Sequence, residues 1–426
     1  MNRSITALGP LSVAQDRRLV RPRWHSKRFV VVRVTAPEAR RDQARPPVNL
    51  AFVLDRSGSM DGQKLRLAAQ AAQEGIARLQ PEDRLSVVIY DDQVEVLVAG
   101  SRASAEACRA AIGRLGQVQA RGTTNLSAGW LAGCEEVASA LTELGVNRVL
   151  LLSDGLANQG ITDRDELTRH ASELRARGVS TSTFGVGDDF DEVLLGSMAQ
   201  AGGGHFYDIA TAAAIRDHIS SEVGETLEVV ARDVVLRVTI PTDVRIESLA
   251  ALPSRDAGGR SIISLGDLVS GQQVEVPLRV VFPFGEIGAS TPAVFSLSDR
   301  DGALDGTSTR LAWEYAADRA NDAQPRDRAV DRSVAGAFAA RARQEAVELN
   351  RRGDYRGARK ALEATAMKIR TYAGRDPELR AIADELQGEA GEFERVMSKR
   401  AHKEAYARSH YAMQSRLADG SARRSV

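Results

Sequence analysis

Cysteine is nearly absent from this 426-residue chain, which has two, Cys108 and Cys134. Both fall in helix-like stretches beside apolar residues. They read as buried free thiols, with neither a disulfide framework nor the paired spacing of a zinc site. Long apolar runs are missing too. The opening segment, MNRSITALGPLSVAQDRRLV, lacks a signal-peptide hydrophobic stretch. No later segment reaches the roughly 18 uninterrupted apolar residues of a membrane-spanning helix. A soluble, cytoplasmic protein without a membrane span is the expectation. Net charge is also missing, because 57 Lys and Arg balance 57 Asp and Glu. That balance argues against nucleic acid or an anionic membrane as partner. Residues 1–45 depart from it, with 11 basic against 3 acidic side chains, and read as a solvated arm or edge strand. Several enzyme signatures are lacking: a G-x-x-x-x-G-K-[ST] loop, a glycine fingerprint after the first strand, and a Ser–His–Asp or Cys–His arrangement. His402 and His410 would lie roughly 12 Å apart along a helix, too far to share a metal.

What is present is a strong pattern in three parts. A length of 426 residues exceeds one ordinary core and suggests two or three domains. Residues 28–37 (RFVVVRVTAP) form a good strand. From 48 to about 223, nearly continuous apolar strands alternate with amphipathic helices. The first helix, over 62–80, places Leu65, Ala68, Ala69, Ala72, Ile76 and Leu79 on one face. RLSVVIY and QVEVLVA read as an antiparallel pair, the second an edge. This alternation indicates a doubly wound, mostly parallel α/β sheet covered on both faces. Residues 225–315 are strands and turns with little helix, which is a β-sandwich signature. The strand at 28–36 has no helix to join it to the α/β unit and is expected to return to the sandwich, making the α/β unit an insertion. After 317, three helical stretches form a hairpin with a long trailing helix, similar to a single tetratricopeptide-like unit. Residues 400–426 are polar and are expected to fray. The expected division is 1–45 (arm and sandwich strand), 46–223 (α/β), 224–316 (sandwich) and 317–426 (helical).

The chemistry concentrates in LAFVLDRSGSMDGQKLRLA, residues 50–68. An aspartate leaves the carboxyl end of a parallel strand, where open α/β sheets bind ligands. If the loop curls, with Gly58 allowing it, Asp55, Ser57 and Ser59 point to one spot. RGTTNLSAG adds Thr123 and Thr124, and LLLSDG adds Ser153 and Asp154. Hard oxygen donors of this kind suit Mg²⁺ or Ca²⁺ rather than zinc or copper. They are too few to enclose the ion, so one position stays open. Asp188, Asp189 and Asp191 read as an acidic helix start favoured by the dipole, and His205 as packed on the last strand.

DRSGSMDGQKL, GTTNL and LLLSDG, in that order, resemble the von Willebrand factor A domain and its metal-ion-dependent adhesion site. TFGVGDDFDEVLL and AQAGGGHFYDI agree with that domain's end. The resemblance spans about 48–223 and implies that Asp55, Ser57, Ser59, Thr124 and Asp154 ligate a metal, some through water, with Arg56 at the variable position. The family's Gly-Gly-Thr-Asn is Gly-Thr-Thr-Asn here. Thr123 is therefore a rival ligand, and Thr124 is preferred because it precedes Asn125, the expected cap of the next helix. LGDLVSGQQVEVPLRV resembles the flanking sandwich of bacterial A-domain proteins related to inter-alpha-trypsin-inhibitor heavy chains and calcium-activated chloride channel regulators.

The expected function is a bacterial-type protein-interaction module rather than an enzyme. A partner's Asp or Glu carboxylate completes the coordination of Mg²⁺, with Mn²⁺ or Ca²⁺ as substitutes. The contact loops are those around Met60, Thr123, Asn125 and Gly155. Two alternatives stand beside it: a Mg²⁺-dependent phosphotransfer or hydrolytic enzyme using Asp55, and a structural scaffold with an inactive metal site. Against the enzyme, position 57 is serine where a second acid is needed, and Lys64 lies within the predicted helix.

Overall fold

The computed structural model describes residues 9–39 and 45–424. Part of the basic 1–45 segment therefore lies outside the described residues. Sixteen strands are described. Three precede the α/β unit: β1 (Leu11–Gln15), β2 (Leu19–Val20) and β3 (Lys27–Thr35). The unit itself runs β4 (Val48–Asp55), α1 (Gln63–Ala77), β5 (Arg84–Tyr90), β6 (Val94–Arg102), α2 (Ala105–Leu115), α3 (Leu126–Ala138) and β7 (Val146–Ser153). It continues with α4 (Arg164–Ala176), β8 (Ser180–Val186), α5 (Glu192–Ala201), β9 (Gly203–Ile209) and α6 (Ile215–Leu227).

Its sheet has the order β6-β5-β4-β7-β8-β9, parallel except for the edge strand β6. Every residue of β4 and β7 is buried, which explains why these strands read as unbroken apolar runs. The strand period of two sorts their side chains between two cores. Leu50, Phe52 and Leu54 pack with α1, α2 and α6. Ala51 and Val53 pack with α3, α4 and α5.

The chain then forms β10 (Val229–Thr239), β11 (Arg245–Ser248), β12 (Ser254–Ala257), β13 (Arg260–Val269), β14 (Gln273–Val281), β15 (Ser290–Ser298) and β16 (Ser308–Tyr315). Two sheets, β1-β3-β14-β11 and β12-β13-β10-β15-β16-β2, make a sandwich. β3 pairs antiparallel with β14, with Val30 opposite Leu278, Val32 opposite Val276 and Val34 opposite Val274. Those valines are buried in the sandwich core, so the α/β unit is an excursion between sandwich strands β3 and β10.

The helices that follow are α7 (Asp318–Ala323), α8 (Arg328–Arg351), α9 (Tyr355–Ala373), α10 (Pro377–Ala390) and α11 (Lys399–Met413). α8, α9 and α10 share a core of alanine and leucine. The start of α8 lies on β3, where Phe338 meets Phe29 edge-on at 5.8 Å. Among the described residues, no helix is long and apolar enough to cross a membrane.

The C-terminal segment corrects the expectation that 400–426 frays. Ser398 caps α11, accepting from the Ala401 amide at 3.1 Å. Ala407 and Tyr411 join the core beneath β9. Beyond the helix, the Gln273 amide donates to the Arg423 carbonyl at 2.8 Å, and the Ala422 amide donates to Glu225 at 2.8 Å. The segment is polar because its charges have partners elsewhere in the chain. Lys403 pairs with Glu192 at 2.9 Å, Arg400 with Asp208, and Arg416 with Glu225 at 2.6 Å.

His410 makes this segment sensitive to acid. It is buried beside Phe206, Tyr406 and Tyr411, and its Nε2 has no hydrogen-bond partner. Burial, helped by the Arg416 and His205 charges, pulls its pKa from 6.5 down to about 4. Between those values the unfolded chain binds the extra proton, so this group's stability is present above about 6.5 and is lost as pH falls toward about 4. The expected loss is about 3 kcal/mol. His410→Phe should flatten that part of a plot of urea midpoint against pH, and an unchanged slope would assign the acid sensitivity to other groups.

Candidate metal centre

Three loops meet at the carboxyl end of the sheet: those that follow β4 and β7, and the one that joins α2 to α3. The first follows β4. Asp55 ends the strand with no exposed surface, and its carboxylate turns the chain by accepting from the Ser57 amide at 2.8 Å. A short 3-10 turn, Gly58–Met60, leads toward α1. The left-handed residues that shape the site are Gly62 (φ 78°) and Gly122 (φ 69°), not Gly58. A side chain at Gly122 would strike the Asp92 carboxylate, 2.1 Å from its Cβ.

The hydroxyls and carboxylates interlock. Ser57 Oγ lies 3.1 Å from Ser59 Oγ, and Ser59 Oγ donates to Asp154 Oδ1 at 2.6 Å. Ser153, buried beside it, donates to Asp55 Oδ2 at 2.8 Å. Thr124 is buried, and its Oγ1 faces Gly155, 3.3 Å from where a Cβ there would stand. Thr123 is exposed and accepts from Gln159 at 2.8 Å, so its hydroxyl is turned to the rim. Asn125 caps α3, accepting from the Ala128 amide at 3.2 Å.

Burial lifts the Asp55 carboxyl to about 6; the neighbouring Asp154 charge lifts it further, and hydrogen bonds from Ser57 and Ser153 oppose the rise. Two buried carboxylates thus share a pocket, and the Lys64 ammonium lies 2.5 Å from Asp154 Oδ2. The donor set is all hard oxygen and short of positive charge, which fits a hard divalent cation.

Of the contact positions expected from sequence, Thr123, Asn125 and Gly155 are at least partly exposed. Met60 itself has no exposed surface and belongs to the core against α1. Gly58, Ser59 and Asp61 form the exposed part of that loop.

Sequence reasoning overlooked Asp91. It follows β5, and one of its oxygens, Oδ2, accepts from both Arg56 Nε and Arg121 Nε at 2.8 Å. Its other oxygen accepts from the Gln93 amide at 2.7 Å, and its carbonyl accepts from the Asn125 amide at 2.8 Å. Burial acts to raise its pKa, but Arg121, the Gln93 amide and Arg56 together hold it below the usual carboxylate range. Asp91 therefore binds the loop carrying Ser57 to the loop carrying Thr124. The rule that singled out Asp55 and Asp154, a carboxylate at the carboxyl end of a parallel strand, applies to it as well.

The remaining clusters have structural partners. Asp191 caps α5, Asp189 pairs with Lys399 at 2.7 Å, and Asp188 pairs with Arg400 at 3.6 Å. His205, Glu222 and Glu225 hold their ligand atoms within 4.8 Å of one another, but two guanidiniums already fill that space. Arg148 is 3.0 Å from Glu222 and Arg416 is 2.6 Å from Glu225.

Comparison with known proteins agrees with this fold. The family model described as "von Willebrand factor type A domain" matches residues 49–221. The uncharacterized protein YfbK of Escherichia coli K12 is 30% identical over 234 residues, covering 54% of this chain and 40% of that protein. Human inter-alpha-trypsin inhibitor heavy chain H1 is 30% identical over 165 residues, 36% of this chain and 18% of its own. The chain thus spans less than half the length of these relatives. A solved structure, von Willebrand factor type A from Catenulispora acidiphila, superimposes with a TM-score of 0.69 at 18% identity, covering 89% of this chain and 96% of that one. Its fold is therefore shared well beyond the α/β unit. Residues 49–221 of this chain are a von Willebrand factor type A domain.

Proposed function

We propose that this domain is a metal-dependent protein-binding site. Domains of the family often mediate metal-dependent protein interactions and commonly hold a divalent metal at the adhesion site. The observation that carries the reading is a pair of buried carboxylates, Asp55 and Asp154, joined through Ser57, whose amide donates to Asp55 and whose hydroxyl meets that of Ser59, which donates to Asp154. In this reading Asp55, Ser57, Ser59, Thr124 and Asp154 hold Mg²⁺, or Mn²⁺ or Ca²⁺ in its place. The ion balances the two carboxylates in formal charge and leaves a coordination position open to a further hard oxygen donor. The exposed rim at Gly58, Ser59, Thr123 and Gly155 admits an Asp or Glu side chain of a protein partner. In this reading the site binds without turnover. The two free cysteines, Cys108 and Cys134, suit a reducing compartment, and the cytoplasm is the location this reading assigns.

The test has two arms. Calorimetry should find a single Mg²⁺ or Mn²⁺ site in the full chain that is lost in the Asp55→Ala, Asp154→Ala double variant. An array of peptides bearing one Asp or Glu, each beside its Asn or Gln counterpart, should show binding that needs both the acid and the metal. Undiminished metal affinity in the double variant would place the ion elsewhere. Metal-dependent hydrolysis of a phosphate ester, lost on Asp55→Asn, would favour an enzyme.

A further inference from the structure

Lys64 occupies an unexpected place. It is the second residue of α1, where the positive end of the helix dipole disfavours a cation. Its ammonium nevertheless turns to the site, 2.5 Å from Asp154 Oδ2 and 3.2 Å from the Ser59 carbonyl. Asp154 Oδ1 accepts from the Ser59 hydroxyl, so both oxygens of this carboxylate are taken by the chain itself. The Asp154 side chain has no exposed surface, whereas that of Lys64 is 33% exposed. The ammonium thus sits where the buried carboxylate opens to solvent.

The geometry points to Lys64 as a tethered counter-cation of the metal site, one that neutralises Asp154 in the metal-free protein and gives way when a divalent ion is bound. Three physical facts support it. The Asp55–Asp154 pair is short of positive charge, and an ammonium provides part of what a metal provides. A metal and an ammonium on the same carboxylate repel one another, so the two compete. Lysine suits the task because it is a compact charge on a flexible four-carbon stem with a path to water, unlike the planar fork of arginine. Lys64 thereby sets the affinity for the ion below what the oxygen ligands alone would give, and keeps the loops assembled between binding events. This inference rests on the metal reading above.

The experiment uses the full chain, stripped with chelator and held at one near-neutral pH, with Mn²⁺ as probe. Calorimetry compares the wild type, Lys64→Met, Lys64→Gln and Asp55→Ala. Lys64→Met and Lys64→Gln should bind Mn²⁺ about tenfold tighter or more, the scale on which groups behind the ligands tune metal sites. In chelator the Lys64 variants should melt below the wild type, and Mn²⁺ should raise their melting temperature by a larger interval. Equal or weaker Mn²⁺ affinity in the folded Lys64 variants, with Asp55-dependent binding intact, overturns this inference and leaves the metal reading standing. Failure of the wild type to bind Mn²⁺, or Asp55→Ala binding it equally well, overturns both.

Discussion

Replacing Arg416 by alanine is expected to lower the unfolding free energy by about 3–5 kcal/mol, the usual result of removing one partner from a buried ion pair. Arg416 is 4% exposed and donates to Glu225 at 2.6 Å and to the Tyr207 hydroxyl at 3.2 Å. Glu225 lies one helical turn from Glu222, which accepts from Arg148, Ser182 and Tyr207. Arg148 reaches on to Asp267 in β13 at 3.0 Å. A single network therefore joins the α/β unit, the sandwich and the C-terminal segment. Without Arg416 the Glu225 carboxylate stays buried, keeps the Ala422 amide as a donor and loses its guanidinium. Arg416→Met combined with Glu225→Gln should recover part of the loss, because no uncompensated charge remains. Urea unfolding of the three proteins decides the matter, and an Arg416→Ala variant as stable as the wild type would mean that the tail only rests on the domain.

The second large effect is expected at Asp91. Asp91→Ala should weaken Mn²⁺ binding by about 10–100-fold, as losses behind metal ligands do, although Asp91 is not proposed as a ligand. Arg56 is 6% exposed, and its Nη2 already lacks a partner. Removal of Asp91 takes away the acceptor of its Nε and releases Arg121 from the same oxygen. The Ser57 loop and the Thr124 loop then keep their backbone contacts, Arg121 amide to Arg56 carbonyl at 2.8 Å and Gly58 amide to Gly122 carbonyl at 3.1 Å, but lose the charge that fixes their spacing. Calorimetry on Asp91→Ala and Asp91→Asn measures this. Full Mn²⁺ affinity in Asp91→Ala would show that the backbone contacts suffice.

How much of this was legible in the sequence follows from where each residue's partners lie. β4 and β7 are buried on both faces, so their apolar character is written in consecutive residues. Asp55, Ser57 and Ser59 fall within five positions, Asp154 directly follows an apolar strand, and Thr124 directly precedes the cap of a helix. Such local features can be read without a structure. Arg56 could not be: as a variable position between ligands it looked incidental, and its role depends on an acid 35 residues away. The C-terminal segment failed for the same reason. Lys403, Arg400 and Arg416 read as solvated charges because Glu192, Asp208 and Glu225 lie about 200 residues earlier. The burial of Met60 within an otherwise exposed loop depends on a short 3-10 turn that has no distinctive composition.

The insertion of the α/β unit between β3 and β10 has a mechanical consequence. The chain enters at Val48, the start of β4, and leaves at Leu227, the end of α6. The loops of the site lie at the opposite end of β4, about 25 Å away along an eight-residue strand. A partner pulling on those loops would draw β4 lengthwise between β5 and β7, so its ladders on both sides would have to slip together rather than open one bond at a time. The other line of tension runs down α6, and there the Arg416 contact ties the helix end to a segment that is itself bonded to β14 through Gln273 and Glu275. Traction applied at one end of the domain is thus received at the other by three separate stretches of chain.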